Sequence, residues 1–301
     1  MAKDIAGPIL FEEASVARGP GASVRLRKLG ALARSNPLGL LGLIIIVAFV
    51  FCAIFAELIA PYSATDLAGS KNESMSGAFW FGTDVSGRDI FSRVIFGTRI
   101  SLSVAIISVV GGASVGLLIG IISGYMGGFI DSSIQRSVDT LIAFPPLLLL
   151  LIITQSLGPS FRTIVFALAL AVIPGTTRVV RGAVLSEKNN QYVEAARASG
   201  AWAPRVLLRH ILPNVVALGV VVMTTLLGGI ILAEAALSFL GLGIPNAASW
   251  GRDVSDARVN FPYHIPAAFF PGAAITLTVL GFNLLGDSIR DIGDPRLRGS
   301  R

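Results

Sequence analysis

Long apolar blocks separated by polar segments run along this chain of 301 residues. The first block, 38–60, is nearly uninterrupted Leu, Ile, Val and Phe, and it meets the roughly 20-residue length that a helix needs to cross a bilayer. Five further blocks are of similar length, although Pro174 and Gly175 interrupt the fourth. The pattern predicts six membrane spans, at 38–60, 100–124, 138–157, 163–184, 214–240 and 266–286.

The composition favours a membrane protein. Hydrophobic residues make up 53% of the chain and charged residues 14%, whereas an average soluble domain has about 25% charged residues. A soluble protein with buried strands is the alternative, but such strands run about 4–8 residues between turns, and these blocks are far longer. A removable signal peptide is not expected, because the segment 1–37 precedes a first block longer than a signal's apolar core. We therefore predict an all-α, polytopic membrane protein.

Lys and Arg residues are distributed unevenly between the connections. Seventeen lie in 1–37, at Arg136, between 178 and 213, and in 287–301, and seven lie in the alternate connections. Cytoplasmic loops are enriched in Lys and Arg, so both termini are expected in the cytoplasm. The net charge of +6 is therefore attributed to these loops and not to a nucleic-acid-binding surface. The predicted organisation is a cytoplasmic tail 1–37, a membrane domain 38–286 with a cytoplasmic connection 185–213, and a cytoplasmic tail 287–301.

Four glycines recur at four-residue intervals in the second predicted span: Gly112, Gly116, Gly120 and Gly124. This spacing aligns them on one helix face, and the missing Cβ atoms let another helix approach closely. The ladder therefore predicts packing between helices and not contact with lipid. The interface is either one that slides when the protein works or a static one, and the sequence leaves both open.

One carboxylate, Glu234, lies well inside the fifth predicted span. A charged group there is costly unless it faces protein or water. Glu234 is therefore either a residue of a pathway or gate through the membrane, or a group hydrogen-bonded between helices. The two histidines and Cys52 show no ligand spacing, so no metal site is predicted.

The connection 185–213 carries the signals of two short helices. Asn190 suits a helix N-cap, and Gly200 suits a helix end because it adopts a positive φ without strain. Pro204 suits the first turn of a second helix, which runs toward Pro213. One face of the first helix is expected to carry small or hydroxyl-bearing residues that leave room for a partner surface: Tyr192, Ala195, Ala196 and Ser199.

The same connection resembles a known motif. Glu194-Ala195-Ala196, followed by Gly200 and by Leu212-Pro213, resembles the EAA loop of the permeases of ATP-binding cassette (ABC) importers. One position departs from the general pattern, because His210 stands where most of these permeases have an apolar residue. The stretch His210–Asn214 is similar to the peptide-importer branch of the family.

Further segments resemble the DppC/OppC-type permeases of that branch, and the resemblance covers residues 35–298. The order of the segments and the predicted side of the membrane agree with the family. These segments are Phe81–Asp89, Ser92–Leu102, Leu237–Gly243, Ser249–Gly251, Phe282–Asp287 and the ending Arg290–Arg296.

The resemblance implies the MetI-like fold of type I ABC importer permeases and a coupling helix that inserts into a cytoplasmic ATPase. It also implies a homologous second permease, two ABC ATPase subunits and an extracytoplasmic solute-binding protein as partners, besides membrane lipid. The residues implied in ATPase coupling are Tyr192, Glu194, Ala195, Ala196, Arg197, Gly200, Trp202 and Pro213.

The chain contains no GxxxxGK[ST] phosphate-binding loop. ATP and Mg are therefore expected in the partner ATPases, with no cofactor bound by this chain and no enzymatic activity of its own. A stand-alone ion-coupled transporter is the alternative and would need charged pairs within the membrane. A membrane-embedded enzyme would need clustered His or carboxylate residues. The solute stays open among dipeptides, oligopeptides, glutathione, nickel complexes and sugars.

Two loops on the predicted outer side, 81–93 and 245–258, mix Asp, Arg, Trp and Gly. They either form a mouth that receives the binding protein or cap the helix ends. The candidate docking residues are Asp84, Arg88, Asp89 and Trp250.

Overall fold

A computed structural model describes residues 36–261 and 263–293 of the chain. Most of the predicted tail 1–37 and the ending 294–301 lie outside the described residues. Within the described ranges the secondary structure is helical, and the one strand-like pairing is an isolated bridge between Thr83 and Asp89. The predicted all-α class is confirmed.

In chain order the described helices are α1 (Pro37–Ile54), α2 (Ala56–Ile59), α3 (Ile90–Met126), α4 (Gly128–Ala143), α5 (Pro146–Leu157), α6 (Phe161–Lys188), α7 (Gln191–Ala198), α8 (Ala203–Val206), α9 (Leu212–Leu237), α10 (Trp250–Ala257) and α11 (Pro266–Gly293). Two π-helical turns, Leu207–Ile211 and Ser238–Leu242, flank α9. The first turn joins α8 to α9 and the second extends α9, which gives one helical run, Ala203–Leu242, of 40 residues.

Five helical runs of the described chain are long and apolar enough to cross a membrane: α1, α3, α6, Ala203–Leu242 and α11. A sixth crossing requires α4 and α5 to count as one span, and these two helices are bent by 85°. The expectation of one helix at 138–157 is therefore corrected. Phe144 is extended, with φ −77° and ψ 132°, because a residue that precedes a proline is driven out of the helical region.

The helix α3 begins at Ile90, well before the predicted start of the second span at 100. The Asp89 carboxylate caps it by accepting a hydrogen bond from the Ser92 backbone N–H at 2.8 Å. At 37 residues the helix is about 55 Å long, so its Ile90 end and its Met126 end lie at opposite ends of the bundle. Two arginines that the sequence placed in the preceding loop lie within α3 and have acidic partners, Arg93 with Asp253 and Arg99 with Glu57.

The glycine ladder lies in the contact between α3 and α6, and all four glycines are buried. A Cβ atom on Gly120 would lie 2.8 Å from the Cβ of Val180. A Cβ atom on Gly124 would lie equally close to the Cβ of Val184. Such distances leave no room for a side chain, so the ladder sets how closely the two helices approach.

The rest of the bundle is built around the run Ala203–Leu242, which packs against α3 and α11. On the outside of α11 lies α1, whose Gly39 and Gly42 face the backbone of that helix around Ser288 and Gly281. Most large apolar side chains of α1 are exposed. This arrangement suits a helix whose other faces meet lipid.

The connection 185–213 contains two short helices, α7 and α8, as predicted, but only α7 is separate from the membrane-spanning runs. The second predicted helix continues through Pro213 into α9 as part of the run Ala203–Leu242. Pro213 stands in the first turn of α9, where a missing N–H costs little, and the π-helical turn before it keeps the run continuous.

Candidate functional site

The helix α7 lies at the Met126 end of the bundle and has defined limits. Asn190 is its N-cap with an extended backbone, and Gly200, at φ +85°, follows its C-cap. The N–H groups of Gly200 and Ala201 donate to the carbonyls of Arg197 and Ala196 at 2.9 and 3.0 Å. This pair of bonds is a Schellman motif, which requires the left-handed conformation that glycine adopts most easily.

One side chain, Val193, anchors α7 to the bundle. It has no exposed surface, and burying a valine contributes about 1.5–3 kcal/mol. The sequence analysis did not single it out. It packs in an apolar cluster formed by α3, α6 and the run Ala203–Leu242, whose other buried members are Ile121, Val180, Val184, Val206, Ile211 and Val215.

The other side chains of this corner turn outward. Trp202, just beyond α7, is 68% exposed, so its indole is accessible to a partner surface. Ala196 is half-buried. The remaining residues predicted for ATPase coupling are exposed: Tyr192, Glu194, Ala195, Arg197, Gly200 and Pro213.

Glu187, near the end of α6, joins three elements at this corner. Its Oε2 accepts hydrogen bonds from Asn190 Nδ2 at 2.9 Å, from the Tyr192 hydroxyl, and from Asn214 Nδ2 at 3.5 Å. Asn214 also donates to the Tyr192 hydroxyl oxygen at 3.2 Å. Burial, and then the Glu187 carboxylate, raises the pKa of Tyr192, so the phenol keeps the proton that it donates.

A second set of bonds fastens the same corner to α3. Lys188 Nζ donates to the Tyr125 carbonyl at 2.9 Å and lies 5.6 Å from the centroid of the Tyr125 ring. The Tyr125 hydroxyl in turn donates to the Ala203 carbonyl at 2.7 Å. Glu187 and Tyr125 were not predicted from the sequence, because their roles depend on contacts with other helices.

Glu234 has no exposed surface. Its Oε1 accepts from the Ser238 hydroxyl at 2.8 Å, and its Oε2 accepts from the Ser101 hydroxyl of α3 at 3.3 Å. The structure thus places this carboxylate as a group hydrogen-bonded between helices, one of the two interpretations that the sequence left open.

Three of the four predicted docking residues are buried at the Ile90 end. Trp250 has no exposed surface, and its Nε1 donates to the Val94 carbonyl at 2.9 Å. Asp89 caps α3, and Asp84 accepts from Arg88 Nε at 2.7 Å. Because a buried side chain offers no surface to a docked protein, the direct contact expected of Asp84, Asp89 and Trp250 is corrected to a role in holding the loops. Arg88 alone keeps partial exposure.

A buried ion pair that the sequence analysis missed fastens α10 to α3. Arg93 Nε donates to Asp253 Oδ1 at 2.8 Å, and a second guanidinium N–H donates to the same oxygen. Arg93 also donates to the Ala64 carbonyl at 2.8 Å. Burial raises the pKa of Asp253 to about 6, against the opposing effect of the Arg93 charge.

Two family models match the chain. One, for the binding-protein-dependent transport system inner membrane component, matches residues 116–299. The other, for the N-terminal TM domain of oligopeptide transport permease C, matches residues 33–74. Together they cover α1 and the chain from residue 116, within α3, to residue 299.

Individual proteins are similar over most of the chain. The glutathione transport system permease protein GsiD of Escherichia coli O6:K15:H31 (strain 536 / UPEC) is 42% identical over 269 residues, which are 88% of this chain and 89% of GsiD. The dipeptide transport system permease protein DppC of Alkalihalophilus pseudofirmus (strain ATCC BAA-2126 / JCM 17055 / OF4) is 41% identical over 268 residues, 88% of each chain. A crystal structure of an amino acid ABC transporter with histidines shares the fold, with a TM-score of 0.53 at 19% identity over 65% of this chain and 92% of that one.

Proposed function

This chain belongs to the family of binding-protein-dependent transport system inner membrane components, and we propose that it forms, with a second permease, the path of an importer for short peptides. As a member it is a multi-pass inner membrane protein and an ABC importer permease, a transport subunit and not an enzyme. The observation that carries the proposal is α7, a capped helix anchored by Val193 whose other side chains are largely free.

In this proposal the free side of α7 is the docking surface for one of two ABC ATPase subunits. Alanine at 195 lets a partner backbone approach closely, and Glu194 and Arg197 supply charges of both signs beside it. The exposed Trp202 adds an apolar contact of the kind enriched in interfaces. ATP and Mg are bound by those partner subunits and not by this chain.

The connections of α7 support a mechanical role. Two residues, Asn189 and Asn190, link it to α6, and the four residues Ser199 to Trp202 link it to the run Ala203–Leu242. A displacement of α7 by a closing ATPase pair therefore reaches two membrane-spanning elements at once. Rigid-body movement of such elements is an established way to alternate between two states.

The Ile90 end is the proposed receiving side for a solute-binding protein. The loops there are stiffened by the Arg93–Asp253 pair and by Arg88, which bonds Asp84 and also donates to Asp256 at 3.2 Å. Stiff loops lose little conformational entropy on binding. The excess of Lys and Arg at the Met126 end supports a cytoplasmic position for that end and for both termini.

Short peptides are the proposed solute class because the two relatives named above are a glutathione and a dipeptide permease. Glutathione is itself a tripeptide, so both are small zwitterionic peptides. The alternating path between two permeases is expected to accommodate molecules of that size and charge.

Co-purification of the permease with its ATPases tests the proposed docking surface. Ala195→Arg places a large charged side chain on α7, and we expect the partner ATPases to be lost from the complex. Val259→Arg is the matched control, since Val259 is comparably exposed but lies in the loops beyond α10. Retention of the ATPases by Ala195→Arg would remove α7 from the interface.

A further inference from the structure

We propose that Glu187 is a positioning residue that makes α6, α7 and α9 move as a single lever. This inference rests on the proposed coupling role of α7. Its basis is the convergence of three elements on one carboxylate oxygen, which accepts from Asn190 ahead of α7, from Tyr192 within α7, and from Asn214 within α9.

A side chain that joins α6, α7 and α9 is needed for them to move together, because the backbone segments between α6 and α7 and between α7 and α9 are flexible. A two-residue connection between α6 and α7 can change its backbone angles, and a push on α7 would then be absorbed there. Glu187 spans this connection and reaches the far side of the corner, where Asn214 lies in the first turn of α9. Hydrogen bonds to an ionised carboxylate are roughly twice as strong as those between neutral groups.

The donors fit an anion better than a neutral amide. The Tyr192 hydroxyl has one proton, which it gives to Glu187, and its oxygen accepts from Asn214 at 3.2 Å. Asn190 and Asn214 also present N–H groups toward Glu187. A glutamine at this position would still offer one oxygen to the three donors, but without the negative charge, so each bond would be weaker.

Binding of the ATPase to α7 and the fixed orientation of α7 relative to α6 and α9 depend on different residues. Val193, next to Tyr192, holds α7 in the apolar cluster independently of Glu187. Loss of the Glu187 bonds is therefore expected to leave α7 in place and able to bind an ATPase, while its angle to α6 and α9 becomes loose. The predicted defect is in coupling and not in assembly.

The test compares ATP hydrolysed per solute imported in liposomes that hold the complete importer with its binding protein. The probe is dialanine or glutathione, whichever the wild-type complex imports. Glu187→Gln is expected to retain its ATPases and to raise the ATP used per solute about threefold or more. Tyr192→Phe, which deletes only the hydroxyl, should act in the same direction, and the double variant should add little because both changes break one network.

Glu73→Gln is the control, because Glu73 lies in the loop before α3 and accepts a hydrogen bond from the Ser70 backbone N–H. The ATP hydrolysed per solute imported by this variant should equal that of the wild type. An unchanged ratio in Glu187→Gln and Tyr192→Phe would overturn the inference, and so would loss of the ATPases from Glu187→Gln. If the Glu187→Gln permease does not accumulate in the membrane, the ratio measured for Tyr192→Phe tests the inference by itself. Normal coupling in Ala195→Arg would instead refute the docking role of α7 itself.

Discussion

Arg93 and Asp253 are 160 positions apart in the chain and form a buried ion pair, with Arg93 Nε 2.8 Å from Asp253 Oδ1. Their side chains are 4% and 8% exposed. The pair fixes α10 against the first turn of α3 and thereby gives the loops of the Ile90 end a defined shape. Breaking it by removing one partner leaves a buried charge without compensation.

Replacement of Arg93 is therefore expected to be far more damaging than replacement of Arg99. Arg93→Met should lower the free energy of unfolding by about 3 kcal/mol. Arg99→Met should cost about 0.5 kcal/mol, because its pair with Glu57, at 3.2 Å, is largely exposed. Thermal unfolding of the purified permease in detergent measures both. Equal losses would show that the Arg93 pair is not desolvated.

The same pair predicts a pH dependence. Burial raises the pKa of Asp253 from 3.8 to about 6, so the folded state holds this proton to higher pH than the unfolded chain does. The contribution of Asp253 to stability is therefore full below about pH 4, falls as the pH rises to about 6, and is constant above that. The loss over this window is about 3 kcal/mol.

Asp253→Asn removes this titration while keeping an oxygen that accepts from Arg93. The fall in unfolding free energy of the wild-type protein between pH 4 and pH 7 should exceed that of the variant, when both are measured in one detergent. Comparison of the two proteins cancels the titration of other groups. Identical pH profiles would mean that the Asp253 pKa is not raised by burial.

Neighbouring glycines of α3 provide a test of the helix contact. A Cβ atom on Gly112 would overlap the backbone of Ala169 in α6, whereas one on Gly111 meets no atom within 4 Å. Gly112→Ala is expected to destabilise the protein by about 1–3 kcal/mol. Gly111→Ala should be neutral or slightly stabilising, because alanine favours helix. Thermal unfolding in detergent measures the stability of both variants. Equal changes in stability would mean that the glycine ladder does not lie in a tight contact between helices.

The orientation of the chain is testable by labelling single cysteines. In a Cys52→Ser background, Trp202→Cys marks the Met126 end and Tyr263→Cys marks the loop beyond α10, and both native side chains are exposed, at 68% and 94%. With a membrane-impermeant maleimide on cells that lack the partner ATPases, we expect label at 263 from outside and at 202 only in inverted vesicles. The reverse pattern would invert the predicted topology.

Local signals predicted local structure. Asn190 and Gly200 stand at the two ends of α7 as predicted, although the Asn190 side chain makes no capping hydrogen bond and donates to Glu187 instead. The four-residue glycine spacing predicted one helix face, and that face packs against α6. The break between α4 and α5 was also local, since Pro145-Pro146 stands at it. The predicted single span at 138–157 is instead a bent pair of helices, because these prolines interrupt the apolar stretch.

Contacts between distant residues could not be predicted in this way. Arg93 and Asp253 are each an ordinary charged residue in a polar loop until folding brings them together, and the same holds for Glu187 and Asn214, 27 positions apart. The assignment of Trp250 to a docking surface failed for a related reason. An aromatic residue in a polar segment is expected to be exposed, but Trp250 packs edge-on against Phe49 and donates to the Val94 carbonyl, and both partners lie on other helices.

Uptake in a defined system tests the central claim, that work done on α7 by separate ATPases drives transport through this bundle. Liposomes would hold the complete importer, with binding protein and dialanine or glutathione on the Ile90 side and no ion gradient. We predict uptake that requires ATP on the α7 side and that ends when the ATPases are omitted. Uptake by the permease without ATPases, driven by an ion gradient alone, would contradict the account.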